Sequence, residues 1–422
     1  MTLSVKADRS LIRAGASSAR YLLVEAVAPV APSRAARLPV NVALVLDRSG
    51  SMAGESKFPL ARRAVEQALR MLRPEDRFSL VTFDTEIDVV ARSAHATPEN
   101  KRRALDALGQ IEPRGGTDLF AGWMRGCEQV AEFLSDDGIS RALLLTDGQA
   151  NHGETDRDVL ARHAGELRRR GIATSTFGVG DDFDERLLRD LAHEGGGHFY
   201  FIEQPAQIPD LLTSELGEAL EVTVRRAVLS VELPRGATAE PLNRFRFTHA
   251  PGDRELRVEL GDLASGQEVV AVVRVEFPLG EVGERATVRV SFGADHALSP
   301  LASADVAFTY ASHPANDRQP RDVAVDREVA KLYAARARAE ATEANREGDF
   351  RRARRALEAT ARRIREYGAG DVLMSPIAEA LMDDVSMFAA APMAARDLKM
   401  AMFAAESSVK GRTREGKARR QP

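Results

Sequence analysis

The stretch VNVALVLDRSGSM, residues 40–52, governs how the rest of the chain is read. Its opening VNVALVL is a near-continuous apolar run, the pattern of a strand buried on both faces of a parallel sheet. The run ends in Asp47, after which Ser49 and Ser51 follow at every second position. In a loop folding around an ion, that spacing turns three side-chain oxygens inward, and Gly50 tolerates an awkward backbone angle. One carboxylate and two hydroxyls are hard donors of the kind Mg2+ takes, an ion that wants octahedral geometry and keeps waters.

Working outward, residues 38–217 alternate between short apolar runs and helical stretches. Residues 58–72 place apolar side chains at helical spacing, with Pro59 in the first turn and Pro74 just past the end. Strands are expected at 77–83 and 86–91, paired antiparallel at an edge because only Asp84 and Thr85 separate them. Helices follow at 98–108 and 119–134, a strand at 142–145, a helix at 155–170 and a strand at 172–179. A helix at 184–192, a strand at 198–202 and a closing helix at 208–219 complete the series. Such alternation predicts a doubly wound, Rossmann-like, mostly parallel sheet covered on both faces. In such a sheet ligands bind outside the carboxyl ends of the strands, at the topological switch point. Two further oxygen donors reach that place if the strands of Asp47 and Asp147 are neighbours: Thr117, in a flexible Gly115-Gly116-Thr117-Asp118 loop before a helix, and Asp147, ending LLLTDG at 143–148.

Together these residues resemble the metal-ion-dependent adhesion site of von Willebrand factor A (VWA) domains: Asp47-x-Ser49-x-Ser51, then Thr117, then Asp147. Around them ALVLDRSGSM (43–52), FSLVTFD (78–84), RGGTDL (114–119), LLLTDG (143–148), FGVG (177–180) and GGGHFYFI (195–202) fall in the family's order. The resemblance covers about residues 38–219, and the arrangement of the chain around it resembles that of bacterial VWA-containing proteins more loosely. It implies that Ser49, Ser51 and Thr117 offer hydroxyls to the ion directly or nearly so, and that Asp47 and Asp147 bind it largely through water. The remaining position would take a Glu or Asp from a partner protein. Two carboxylates only neutralise Mg2+, so the ion stays electrophilic toward an incoming carboxylate. Mn2+ and Ca2+ are the alternative ions. The family's switch, in which Thr117 moves toward the ion and engages the helix beginning near Asp118, comes with the resemblance.

Outside this region the pattern changes. Residues 222–233, 255–260, 268–277, 285–292 and 304–310 are β-like runs punctuated by Pro234-Arg235-Gly236, Pro251-Gly252 and Gly261-Asp262, which suggests a β-sandwich. Residues 3–7 and 20–28 also look extended. The chain is therefore read as a multidomain α/β plus β protein: N-terminal strands at 1–37, a VWA domain at 38–219 inserted in a β-sandwich completed by 220–312, a linker at 313–321, a helical region at 322–406, and a basic, disordered tail at 407–422. Helices at 323–347 and 350–367 meet at Gly348-Asp349, a turn short enough to make them antiparallel neighbours.

Composition sets the outer bounds. The 422 residues are 44% hydrophobic and 29% charged, ordinary for a globular chain, and the net charge of −4 gives no general reason to bind nucleic acid or an anionic membrane. Cys127 is the single cysteine, which excludes an intrachain disulfide and a cysteine-rich zinc site. No apolar stretch is long enough for a transmembrane helix, and a cytoplasmic protein is expected. Of the 59 basic residues only seven are Lys.

Other motifs carry less. His193 and His198 stand five apart across three glycines, which breaks the helix a zinc protease motif needs. Asp184 reads as a helix N-cap, and Trp123 and Cys127 as core. Arg351, Arg352, Arg354 and Arg355 read first as a solvated helix face. No phosphate-binding GxxxxGK[ST] loop occurs. The functional expectation is a non-enzymatic, Mg2+-dependent protein-interaction module. Its alternative is an adaptor or scaffold for a separate AAA+ ATPase with the ion mainly structural. A metal-dependent hydrolase would need a general base, for which His152 is the nearest candidate in sequence.

Overall fold

The computed structural model describes residues 2–31, 37–250, 252, 254–295, 297, 299–368 and 371–420. The chain divides into two compact units, one of residues 32–222 and one of residues 1–31 with 223–422, so the first is bracketed in sequence by the second. Strands β1 (Thr2–Ala7), β2 (Leu11–Arg13) and β3 (Ser18–Val27) open the bracketing unit.

The 32–222 unit then runs β4 (Val40–Asp47), α1 (Lys57–Met71), β5 (Arg77–Phe83), β6 (Ile87–His95), α2 (Pro98–Gly109), α3 (Leu119–Ala131) and β7 (Ile139–Thr146). It continues with α4 (Arg157–Arg169), β8 (Ile172–Val179), α5 (Glu185–Glu194), β9 (Gly196–Ile202) and α6 (Ile208–Leu220). The sheet order is β6-β5-β4-β7-β8-β9, antiparallel only between β5 and β6. Strands β4 and β7 are buried along their whole length, as central parallel strands must be when helices cover both faces. Val42, Leu44 and Leu46 join residues of α1 and α6 in one apolar cluster. On the other face α3 lies unusually close to β4 and β5. A Cβ at Gly126 would stand 2.3 Å from Val45 Cγ2, and one at Gly122 would stand 2.4 Å from the Phe83 ring, so only glycine permits this approach. From β4 the chain winds outward to β5 and β6, then returns to β7 on the opposite side. The switch point therefore falls between β4 and β7, whose carboxyl ends carry Asp47 and, one residue past Thr146, Asp147.

Strand β7 starts three residues earlier than the apolar run at 142–145, because it includes the charged Arg141. That arginine is buried in an ion pair with Glu215 of α6 at 2.6 Å, a tertiary contact that hydrophobic pattern cannot register.

The bracketing unit continues with β10 (Val222–Glu232), β11 (Thr238–Pro241), β12 (Arg246–His249), β13 (Glu255–Ala264), β14 (Glu268–Phe277), β15 (Arg285–Ala294) and β16 (Ala302–Ala311). Helices α7 (His313–Arg318), α8 (Val323–Arg346), α9 (Phe350–Tyr367), α10 (Ser375–Phe388) and α11 (Ala395–Val409) follow. Its strands form two sheets, β1-β3-β14-β11 and β12-β13-β10-β15-β16-β2. Leu22 and Val24 of β3, Val273 of β14, Leu229 of β10 and Val290 of β15 share one apolar cluster, so both sheets contribute to it. The outer residues Leu23 and Val272 pack instead with Val325, Leu332 and Ala335 of α8 and Val409 of α11.

Three expectations change here. Strands β2, β11 and β12 are three or four residues long, too short for alternation to announce them. The 313–321 linker is not irregular: Pro314 starts the short α7, and the Gln319 side chain accepts from Leu11 N at 2.7 Å. The 407–422 tail is not disordered in its described part. Helix α11 runs to Val409, Arg412 is buried, Glu268 N donates to Arg419 O at 2.9 Å, and Gln267 bridges Arg420. Backbone carbonyls of the tail itself receive the Arg412 and Arg419 side chains, and the start of β14 donates to the tail backbone, contacts that sequence alone does not show. Among the described residues no helix is long and apolar enough to cross a membrane.

Candidate metal centre

Three loops meet at the carboxyl end of the 32–222 sheet, and backbone hydrogen bonds sew them together. Arg48 N donates to Phe83 O at 2.8 Å, Arg114 N to Arg48 O at 2.7 Å, Gly50 N to Gly115 O at 3.1 Å and Asp118 N to Asp84 O at 2.7 Å. Arg48 and Arg114 also ion-pair with the buried Asp84, each at 2.9 Å. Burial pushes the Asp84 carboxyl up, but the Glu86 amide, Arg114 and the Arg48 charge outweigh it and hold it below the usual value. The middle of the assembly is thus a closed charge network. It fixes the loop after β4 against the loop that bears Thr117.

Within that frame Ser49 N donates to Asp47 Oδ1 at 2.7 Å, and the Thr146 hydroxyl donates to Asp47 Oδ2 at 2.5 Å. The Ser51 hydroxyl donates to Asp147 Oδ1 at 2.6 Å and lies 3.1 Å from Ser49 Oγ. Thr117 is held from behind: its N–H donates to Asn151 Oδ1 at 2.8 Å, and its carbonyl accepts from the amides of Asn151 and His152. Gly148 marks the point where these oxygens converge. A Cβ there would stand 3.2 Å from Thr117 Oγ1, 3.8 Å from Asp47 Oδ2 and 3.9 Å from Ser51 Oγ. Asp47, Ser49, Ser51, Thr117 and Asp147 are therefore brought to one place, four of them buried and Ser51 open to solvent.

The electrostatics ask for a cation. Burial pushes the Asp47 carboxyl up to about 6, only partly offset by the Thr146 and Ser49 hydrogen bonds, and neighbouring Asp147 raises it further. Two neighbouring buried carboxylates, met by two hydroxyls, one amide and a single lysine, form with Ser49, Ser51 and Thr117 an all-oxygen donor set that fits a hard divalent ion.

Four contributors escaped the sequence reading: Thr146, Asn151, Asp84 and Lys57. Lys57 Nζ pairs with Asp147 Oδ2 at 2.7 Å. A Thr before Asp147 was visible, but its bond to Asp47 depends on β4 and β7 being neighbours. For Lys57 the signal was a lysine opening a helix, where acidic residues are usual. His152 is exposed against Gly116, and its ring has no hydrogen-bond partner among the described residues.

A second cluster invites the same question. Ligand atoms of His198, Glu215 and Glu218 lie within 4.8 Å of one another. Glu215, however, already accepts from Arg141, Ser175 and Tyr200, each at 2.6 Å, and meets His198 Nδ1 at 3.0 Å. A cation there would face the Arg141 guanidinium, so the cluster reads as an internal charge hub. Asp184 caps α5 through the amides of Arg186 and Leu187, and Trp123 and Cys127 are core.

A doubly wound sheet with this loop constellation at its switch point defines a VWA domain, and residues 41–214 match the family described as von Willebrand factor type A domain. The chain therefore carries a VWA domain. Among its relatives, the uncharacterized protein YfbK of Escherichia coli is 24% identical over 61% of this chain and 45% of its own length. An uncharacterized protein of Synechocystis is 28% identical over 65% of this chain and 66% of its own. The match thus spans under half of the first relative and just under two thirds of the second. Beyond the VWA domain, a solved structure described as von Willebrand factor type A from Catenulispora acidiphila shares the fold over 97% of this chain and 96% of its own, with a TM-score of 0.73 at 19% identity. VWA domains generally mediate metal-dependent protein interactions.

Proposed function

We propose that residues 38–219 form a Mg2+-dependent protein-interaction module that captures an acidic side chain of a partner. Asp47, Ser49, Ser51, Thr117 and Asp147 would hold the ion, with Mn2+ or Ca2+ as substitutes. The observation that carries this reading is the convergence of Asp47, Ser51 and Thr117 oxygens beside Gly148, with Ser49 and Asp147 in reach of Ser51, at an end of the sheet where Ser51 opens to solvent. When bound, the ion supplies an electrophilic position for a carboxylate. The protein's own part is to hold the donors in place. Thr146 and the Ser49 amide orient Asp47, Asn151 fixes the backbone of Thr117, and the Arg48–Asp84–Arg114 network ties the loops.

The test is Mg2+ and Mn2+ titration of the full chain with partner capture from native lysate in Mg2+, in chelator and with Asp47→Ala. Metal binding lost in Asp47→Ala, together with a partner retained only by wild type in Mg2+, supports the reading. A partner held at full affinity in chelator sinks it.

A further inference from the structure

Lys57 is placed where neither helix formation nor core packing asks for it. It opens α1, so its charge opposes the positive end of the helix dipole, and no acidic residue in the first turn offsets it. The chain reaches it through Glu55 (φ 53°) and Ser56 (φ 59°), two successive side-chain-bearing residues in the left-handed region that disfavours them. That turn delivers Nζ to 2.7 Å from Asp147 Oδ2, with the lysine side chain only 12% exposed. Gly180 flanks it without crowding: a Cβ there would stand 3.8 Å from Nζ. The other cations of the site are spoken for, Arg48 by Asp84 and Asp88, and Arg114 by Asp84 and Glu86. Among the described residues, Lys57 alone is directed at the oxygens that would hold the ion.

We propose that Lys57 is a built-in counter-cation that keeps the site's divalent affinity low until an anionic group arrives, so that ion and acidic partner are held cooperatively; this rests on the metal-site reading above. The charge balance gives the reason. Asp47 and Asp147 are two negative charges and Lys57 returns one, leaving the site one negative charge in excess. A divalent ion reverses that to one positive charge in excess, and a single carboxylate then brings neutrality. Without Lys57 the ion alone would reach neutrality and the carboxylate would overshoot. The lysine therefore shifts binding energy from the ion onto the ion plus its acidic ligand. Whether the ammonium stays or swings out on metal binding, it costs the ion affinity, through repulsion in the first case and a broken ion pair in the second.

The experiment is calorimetric titration of the full chain with Mn2+ at one neutral pH, with and without acetate as the carboxylate probe. The forms compared are wild type, Lys57→Met, Lys57→Gln, Lys57→Arg and Asp47→Ala, each checked by circular dichroism and Trp123 fluorescence. Without acetate, Lys57→Met and Lys57→Gln should bind Mn2+ about tenfold more tightly, since one charge beside a dication matters that much even in a water-like dielectric. Lys57→Arg should stay near wild type. Acetate should tighten Mn2+ binding by wild type and not by Lys57→Met. Equal or weaker Mn2+ binding by both neutral variants overturns the inference, as does wild-type affinity indifferent to acetate. If either happens while Asp47→Ala abolishes binding, the metal site stands and only the role of Lys57 falls. Binding absent from every form, or untouched by Asp47→Ala, overturns both.

Discussion

The VWA sheet buries carboxylates at two places and treats them in opposite ways. Glu215 of α6 meets Arg141, Ser175, Tyr200 and His198 along β7, β8 and β9. Asp76, in the turn before β5, meets the Arg37 guanidinium at both oxygens and the amides of Val40 and Arg73. Both are answered by arginine from within the chain. At the carboxyl end, among the described residues, Asp47 has hydroxyl and amide donors but no direct cationic partner, and Asp147 has Ser51 and a single lysine. The difference separates a charge that holds the fold together from one kept for something outside it. A saturated buried ion pair leaves no demand, whereas an under-compensated one stores a demand that an ion can meet.

The sharpest way to break the comparison is to remove the saturated carboxylate. Glu215→Ala leaves Arg141 buried without its carboxylate, and loss of one member of a buried pair costs about 3–5 kcal/mol. Urea unfolding followed by fluorescence of Trp123, the one tryptophan of the chain and buried in this unit, reads it directly. A loss below about 1 kcal/mol would mean the hub is ornamental and the contrast empty. Asp47→Asn should behave oppositely. In chelator its stability should stay within about 1 kcal/mol of wild type, because the amide removes a charge the fold does not compensate. Its Mg2+ binding should vanish. A collapse of the metal-free fold would put Asp47 in the same class as Glu215.

Proton linkage separates the same groups by sign. Burial pushes the Asp76 carboxyl up, yet Arg37 and the two amides outweigh it and leave it lowered. A lowered carboxyl contributes stability that is present above its unfolded value and is lost as pH falls through the folded one, so Asp76 weakens the fold only in acid, below about pH 4. Asp47, raised to about 6, contributes stability that is present in acid and lost as pH rises through about 6. Thermal midpoints in chelator should therefore decline between about pH 4 and 6, and Asp47→Asn should flatten that decline. Saturating Mg2+ should flatten it too, because the ion favours the ionised carboxyl. A decline unchanged in Asp47→Asn would remove Asp47 as its cause.

How much of this was legible beforehand follows the same division. The apolar runs announced β4, β5, β8 and β9 because burial of a parallel strand is written along one segment. The five candidate oxygen donors could be singled out for a similar reason. Each closes a strand or precedes a helix, and the Asp47–Ser51 spacing is local. What stayed hidden depends on contacts between distant segments. Arg141 looked too polar for a strand until Glu215, 74 residues on, is seen to receive it. Arg412 and Arg419 looked like part of a disordered basic tail until the carbonyls of Gly416 and Arg412 are seen to receive their side chains and Glu268 N to meet the Arg419 carbonyl. Lys57 is the middle case: it lies close in sequence to Ser51, but its meaning depends on β4 and β7 being neighbours.

The smallest effect in this series tests the shape of the cradle rather than its charge. An alanine Cβ at position 148 would press on Thr117 Oγ1 at 3.2 Å and approach Asp47 Oδ2 and Ser51 Oγ within 4 Å, while touching no core side chain among its nearest neighbours. Gly148→Ala should therefore leave the unfolding midpoint nearly unchanged. Thr117 must yield by a few tenths of an ångström, so Mg2+ affinity should fall several-fold, read by titration. Substituting Thr117 should lower affinity further, since it removes the hydroxyl instead of shifting it. If Gly148→Ala binds Mg2+ as wild type does, the oxygens around it do not converge on the ion. The demand stored in Asp47 and Asp147 would then have to be met from another direction, with Lys57 its first candidate.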